Sequence, residues 1–139
     1  MASRLLVFDA GTDDEVVFEC VEIDEATQLF FEIFKFRVYD RFAMLERAMT
    51  SAATAIRRAI VFDVGANIGL FAMRCLRNYT KCTLYAFEPA PIVLPALRRN
   101  LINDSDDDNN NTFEVVPCAV RDVVAKATPF YVLPRCWLW

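Results

Sequence analysis

The residues whose types and spacing could do chemistry are Asp63, Gly65, Asn67 and Gly69, with Glu88 following 25 residues after Asp63. They belong to the run Asp63-Val64-Gly65-Ala66-Asn67-Ile68-Gly69, set between an apolar stretch and a helix-like one. A glycine at such a turn lets the backbone bend sharply and lets a ligand approach with no Cβ in the way. The second glycine falls where helix and strand come close, and the helix start offers free N–H groups to a carboxylate or hydroxyl. Glu88 ends the next strand-like run. In nucleotide-binding sheets, an acid about 20 residues past the loop accepts hydrogen bonds from ribose hydroxyls.

The ligand class follows from charge. A dinucleotide loop is built as Gly-x-Gly-x-x-Gly to bring backbone close to a pyrophosphate. Here Asn67 stands where a glycine is expected, and Asp63 places an acid ahead of the first glycine. A carboxylate there repels a pyrophosphate. It suits a ligand bearing an ammonium and a sulfonium, and that ligand is S-adenosylmethionine.

The elements that must position these residues alternate in the second half of the chain. Ala59 to Val64 is an apolar run broken only by Asp63, as expected for a strand buried on both faces. Leu70 to Arg77 reads as a helix with Arg74 and Arg77 on its wet side, and Cys82 to Phe87 as a second buried strand. Pro89 and Pro91 permit a turn before a helix over Ile92 to Leu101, with Pro95 blurring its first turn. Asn103 to Asn111, rich in Asp and Asn, reads as a mobile surface loop, and Phe113 to Val120 as a third strand with Pro117 hinting at an edge. Strand, helix, strand, helix, strand implies a parallel sheet.

Ahead of this unit, Val16 to Ile23 reads as a short strand and Asp24 as an N-cap, with Glu25 favourably placed in the first helical turn. Phe30, Phe34, Val38, Phe42 and Leu45 then follow at steps of four, four, four and three, one apolar helix face. Such a stripe reads as core.

Composition excludes several classes. The hydrophobic fraction is 55%, so the 139 residues can bury a core, and no run approaches the length of a membrane span. Met1 to Asp14 makes a poor signal peptide. A net charge of -4 with a pI of about 4.8 argues against a nucleic-acid binder. No membrane partner is expected either. With no histidine, Ser-His and Cys-His nucleophile schemes are absent. The five cysteines hold no Cys-x-x-Cys pair, so no metal site is expected. Reduced, buried thiols in an intracellular, cytoplasmic protein are the expectation.

Val61-Phe62-Asp63-Val64-Gly65-Ala66-Asn67-Ile68-Gly69-Leu70-Phe71 resembles the first motif of the FkbM family of S-adenosylmethionine-dependent methyltransferases. Ala86-Phe87-Glu88-Pro89 resembles the family's second-strand motif, and Leu97 to Asn103 the helix end that follows it. Pro117-Cys118-Ala119-Val120-Arg121-Asp122 is similar to its third strand and exit, and Phe31-Glu32-Ile33-Phe34 with Tyr39 to the lead-in of some members. The resemblance implies a Rossmann-like α/β sandwich of class I methyltransferases, with strand order 3-2-1-4-5-7-6. On that reading the chain is truncated after about its third parallel strand. Residues 1–58 form a strand and helical lead-in, 59–134 a partial cofactor-binding domain and 135–139 an atypical tail, with Thr128 to Leu133 a small added strand.

Position by position, the resemblance implies that Gly65, Ala66, Asn67 and Gly69 surround the methionyl part of S-adenosylmethionine. Asp63 would organise its amino group, Glu88 would accept from the ribose hydroxyls, and Ala119, Val120 and Asp122 would meet the adenine edge. It implies methyl transfer to a hydroxyl of a small molecule or sugar. No residue is assigned to remove the acceptor's proton, and the family's fourth-strand Asp-x-Glu-Gly segment has no counterpart. Two readings stay open beside it: a fragment of a nicotinamide-dependent dehydrogenase, and a non-catalytic remnant or binding module. An unpaired Ala59 to Val64 strand is further expected to self-associate through its open edge.

Overall fold

The computed structural model of the chain describes residues 3–41, 58–104 and 110–122. Its second half is a parallel sheet in the order β3-β4-β5, with β3 at Ala59–Val64, β4 at Cys82–Phe87 and β5 at Thr112–Val116. Helix α2, Leu70–Asn78, connects β3 to β4, and helix α3, Leu94–Asp104, connects β4 to β5. Among the described residues this is a Rossmann-like α/β unit of three parallel strands.

Parallel register places Val61 beside Leu84 and Asp63 beside Ala86. Leu84, Ala86 and Val61 are buried with Leu70, Met73, Leu97 and Leu101 of the two helices in one core. The opposite face, expected to be covered, is open: Ile60, Phe62 and Val64 are 64%, 63% and 60% exposed. Both crossovers supply their apolar side chains to the same core, so the alternate residues of β3 are left in solvent.

The helices differ from the sequence-based expectation in instructive ways. Arg74, expected on the wet side of α2, is buried, while Arg77 reaches Asp104 and donates from Nη1 to the Glu15 carbonyl at 2.8 Å. The segment Phe31–Lys35 lies against this side of α2, and an arginine stem is apolar enough to be covered. Helix α3 starts two residues later than expected and ends three residues later, at Asp104. A turn in which the Val93 N–H donates to the Ala90 carbonyl at 3.2 Å precedes it. Pro95 then falls in the first turn, where a missing N–H breaks no helical bond.

Two asparagines fasten the layers. Fully buried Asn100 accepts from the Glu19 N–H at 2.6 Å and donates to the carbonyls of Glu19 at 2.9 Å and Ile68 at 2.7 Å. Asn111 donates to the carbonyls of Leu76 and Tyr79 and accepts from the Cys82 N–H. The acidic-amide tract is thus no plain surface loop at its ends. Asn103 and Asp104 are helical and Asn111 caps α2, while residues 105–109 lie outside the described residues. Strand β5 stops at Val116, short of the expected Val120, because Pro117 has no N–H to continue the ladder.

The N-terminal layer contains a strand that periodicity missed. β1, Arg4–Phe8, pairs antiparallel with β2, Val16–Cys20, which is shorter than expected at its C-terminal end. Helix α1 spans Ile23–Phe30; its N-cap is extended Glu22, which makes no side-chain cap bond, and Asp24 joins Glu25 in the first turn instead of capping. Phe31–Lys35 continues as a π-helical turn closed by the Phe36 N–H donating to the Phe31 carbonyl at 2.7 Å. Left-handed Arg37, φ +52°, then separates it from a 3-10 turn at Val38–Arg41. The step-of-four stripe is therefore broken after Phe34, which stacks on Phe30 at 5.3 Å; Phe42 and Leu45 lie outside the described residues.

Cys20, Cys75 and Cys82 are buried and form no disulfide among the described residues, whereas Cys118 is exposed. Among the described residues no helix is long and apolar enough to cross a membrane.

Candidate functional site

The β3–α2 loop leaves the sheet at the carboxyl ends of its parallel strands, where open α/β sheets hold ligands. The N–H groups of Gly65 and Ala66 both donate to the Phe87 carbonyl, at 2.9 and 3.0 Å, which ties the loop to the end of β4. Gly65 has φ +81°, and a Cβ there would meet no atom within 4 Å. Gly69 has φ +89°, and a Cβ there would stand 2.7 Å from Leu97 Cδ1. The two glycines do different work. Gly65 leaves open space beside the loop; Gly69 lets α2 approach α3.

Asn67 is the third left-handed residue of this loop, with φ +50°. Its N–H donates to Glu88 Oε2 at 2.9 Å, and the Ala90 N–H donates to Glu88 Oε1 at 2.7 Å. Glu88, 7% exposed, is thereby oriented by two backbone donors. Each of its carboxylate oxygens retains a second lone pair. The Asn67 side chain donates from Nδ2 to Glu25 Oε1 at 2.6 Å, so α1 reaches the loop directly.

Asp63 differs from Glu88 in its surroundings. Its Oδ2 is buried and accepts no hydrogen bond. Burial, with the Glu88 charge adding to it, pushes the Asp63 carboxyl up to about 6. Burial also raises the Glu25 carboxyl, against the lowering effect of the Asn67 bond and with small contributions from Glu22 and Glu88. Asp63, with Glu88 beside it, makes this end of the sheet a place for a cation. A cleft of about 280 Å³ opens here, lined by Asp63, Gly65, Ala66 and Asn67 and closed from the N-terminal layer by Leu29, Ile33 and Tyr39.

Of the residues singled out in the sequence, Asp63, Gly65, Ala66 and Asn67 share this cleft, Glu88 is bonded to the loop, and Gly69 packs under it. Ala119, Val120 and Asp122 are exposed beyond β5 and do not line the cleft. Glu25 was legible only as a first-turn acid. Ile33 and Tyr39 carried a signal only through the lead-in resemblance, and Leu29 carried none.

Fold and loop together define the class: a Rossmann-like α/β unit with its candidate ligand loop at the carboxyl ends of parallel strands. In sequence the chain is FkbM-like, among the methyltransferases. It is 36% identical over 102 residues to the 31-O-demethyl-FK506 methyltransferase FkbM of Streptomyces tacrolimicus, covering 73% of this chain and 34% of that protein. It is 33% identical over 93 residues to methyltransferase sdnD of Sordaria araneosa, covering 66% of this chain and 32% of that protein. A shorter match, 40% over 43 residues, is to methyltransferase 1 of Beauveria bassiana, covering 31% of this chain and 17% of that protein. The chain spans about a third of the length of the first two. No protein-family model matches it.

Proposed function

We propose that the chain is the S-adenosylmethionine-binding part of a methyltransferase acting on a hydroxyl oxygen of a small molecule or sugar. The observation that carries this is Asp63 Oδ2, a buried carboxylate oxygen with no hydrogen-bond donor beside a glycine loop with open space. A buried unpaired carboxylate is costly unless a cation or donor meets it. The ammonium of S-adenosylmethionine supplies both, and a pyrophosphate supplies neither. Asp63 would hold that ammonium, the open side of Gly65 would admit the methionyl chain, and the remaining lone pairs of Glu88 would accept from the ribose hydroxyls.

When bound, the cofactor supplies a methyl group on sulfur that is open to in-line displacement. What the chain's own residues contribute is register: they hold the donor at one place while an acceptor oxygen approaches. The hydroxyl acceptor is supported by the name of the Streptomyces relative, which specifies a 31-O-demethyl compound. The dehydrogenase reading is disfavoured by the acid ahead of the first glycine.

Calorimetric titration of the 139-residue chain with S-adenosylmethionine, S-adenosylhomocysteine and NAD tests this. The first two, which share the ammonium, are expected to bind and NAD is not. Binding of NAD with neither of the others would overturn the reading. Glu88→Ala is expected to weaken S-adenosylmethionine by about 1.5–3 kcal/mol, the range for hydrogen bonds to a charged group.

A further inference from the structure

Glu25 lies 42 residues before Asn67 in sequence, on a helix outside the parallel sheet, yet their side chains meet at 2.6 Å. That contact sits at the head of a chain of hydrogen bonds. Glu25 Oε1 accepts from Asn67 Nδ2, the Asn67 N–H donates to Glu88 Oε2, and Glu88 Oε1 accepts from the Ala90 N–H. Asn67 is the link, and its backbone is left-handed, a conformation an asparagine tolerates but does not hold unaided. Fixing its side chain from α1 fixes the peptide that orients Glu88.

We propose that Glu25 is a positioning residue of the cofactor loop, acting through the Asn67 side chain to hold the loop N–H on Glu88. The proposal rests on the S-adenosylmethionine reading for its effect on affinity, and on the loop geometry alone for its effect on the ligand-free chain. Glu25 does not line the cleft, so its influence is indirect. It makes the N-terminal layer part of the site: α1 sets the loop as well as burying Ala26 and Phe30.

The role depends on an acceptor atom at the end of the side chain. Glu25→Gln keeps a carbonyl oxygen at the same reach, whereas Glu25→Ala removes it. Asn67→Gly keeps the left-handed backbone and removes the partner. Three measurements on the 139-residue chain separate the possibilities: amide exchange at Asn67 without ligand, S-adenosylmethionine affinity by calorimetry, and thermal midpoint.

Glu25→Ala is expected to speed exchange at Asn67 and weaken affinity about tenfold, the upper end of the net worth of one hydrogen bond. Glu25→Gln is expected to stay within about twofold of the parent, since the acceptor is retained. On the Asn67→Gly background, Glu25→Ala is expected to cause no further loss, because the link is already gone. If Glu25→Ala does not fold, as the thermal midpoint would show, Glu25→Asp replaces it; the shorter side chain withdraws from Asn67 and the same direction is expected.

Unchanged exchange at Asn67 in Glu25→Ala overturns the proposal. So does a Glu25→Gln affinity as weak as that of Glu25→Ala, which would assign the effect to charge. A full loss persisting on the Asn67→Gly background overturns it too, since the route would bypass Asn67. If the parent chain binds no S-adenosylmethionine, the functional reading fails, while exchange at Asn67 still decides the role of Glu25.

Discussion

The two faces of the parallel sheet have similar sequences and opposite fates. On one face Val61, Leu84 and Ala86 are buried against the side chains of α2 and α3; on the other, Ile60, Phe62 and Val64 are more than half exposed. Among the described residues the aromatic neighbours of Phe62 come from its own sheet, with ring centroids 5.5 Å from Tyr85 and 6.0 Å from Phe87. An apolar row on a strand does not reveal which side will be covered. That is decided by where the crossovers run. The residues with chemistry follow the covered face, because Asp63 belongs to the row of Val61 and its carboxylate is dragged into a core that does not suit it.

The largest expected effect is on the covered face. Leu84→Ala removes a fully buried side chain from the middle strand and should destabilise the chain by about 2–5 kcal/mol, read by urea denaturation. Gly69→Ala should come next. It forces a Cβ to within 2.7 Å of Leu97 Cδ1 at a backbone φ of +89°, at a cost of about 2–4 kcal/mol. Gly65→Ala has the same backbone penalty but open space around it, so only about 1–2 kcal/mol is expected. Equal losses at the two glycines would erase the distinction between a packing glycine and a ligand-side one.

Asp63→Asn should act in the opposite direction. In the folded chain its carboxyl stays protonated up to about 6, against an ordinary value of 3.8. Between those values the folded state binds the additional proton, so stability falls as pH rises through that window. At pH 7 the ionised group carries the whole penalty, up to about 3 kcal/mol from a gap of some two pH units. Asn should recover about 1–3 kcal/mol of stability at pH 7 without ligand, and flatten the stability profile between pH 4 and 6. The same variant should bind S-adenosylmethionine more weakly. A parent chain whose affinity for that ligand did not rise from pH 5 to pH 7 would count against Asp63 as the ammonium's partner.

The legible part of the molecule was its second half, and for a physical reason. Ala59 to Val64 and Cys82 to Phe87 are apolar runs ended by a glycine loop and by Glu88-Pro89, so type and boundary agree locally. The loop acids were legible because spacing along the chain matches spacing across two adjacent parallel strands. The N-terminal layer lacked such agreement. Arg4 to Phe8 does not alternate, and it becomes a strand because Val16–Cys20 is there to pair with it. Arg74 looked wet on a helical wheel, which knows nothing of the segment that covers it. Glu25 already had a sufficient local explanation as a first-turn acid, and its bond to Asn67 spans elements whose docking no local pattern encodes.

The smallest stability effect is expected where exposure is greatest, and it comes with a large change of another kind. Among the described residues β3 pairs with β4 alone, so its other side is an edge carrying free backbone donors and acceptors. Exposed apolar edges without a charge recruit other strands. Asp63 cannot guard this one, since its carboxylate lies on the covered side. The 139-residue chain is therefore expected to self-associate in light scattering, through β3, at working concentrations. Ile60→Lys places a charge on the edge at a position that is 64% exposed and does not line the cleft. Its effect on unfolding free energy should stay within about 0.5 kcal/mol, as for other exposed sites. Its effect on mass should be a shift to monomer. A parent chain that is already monomeric would mean the edge is covered in solution, and an Ile60→Lys chain that still associates would move the interface away from β3.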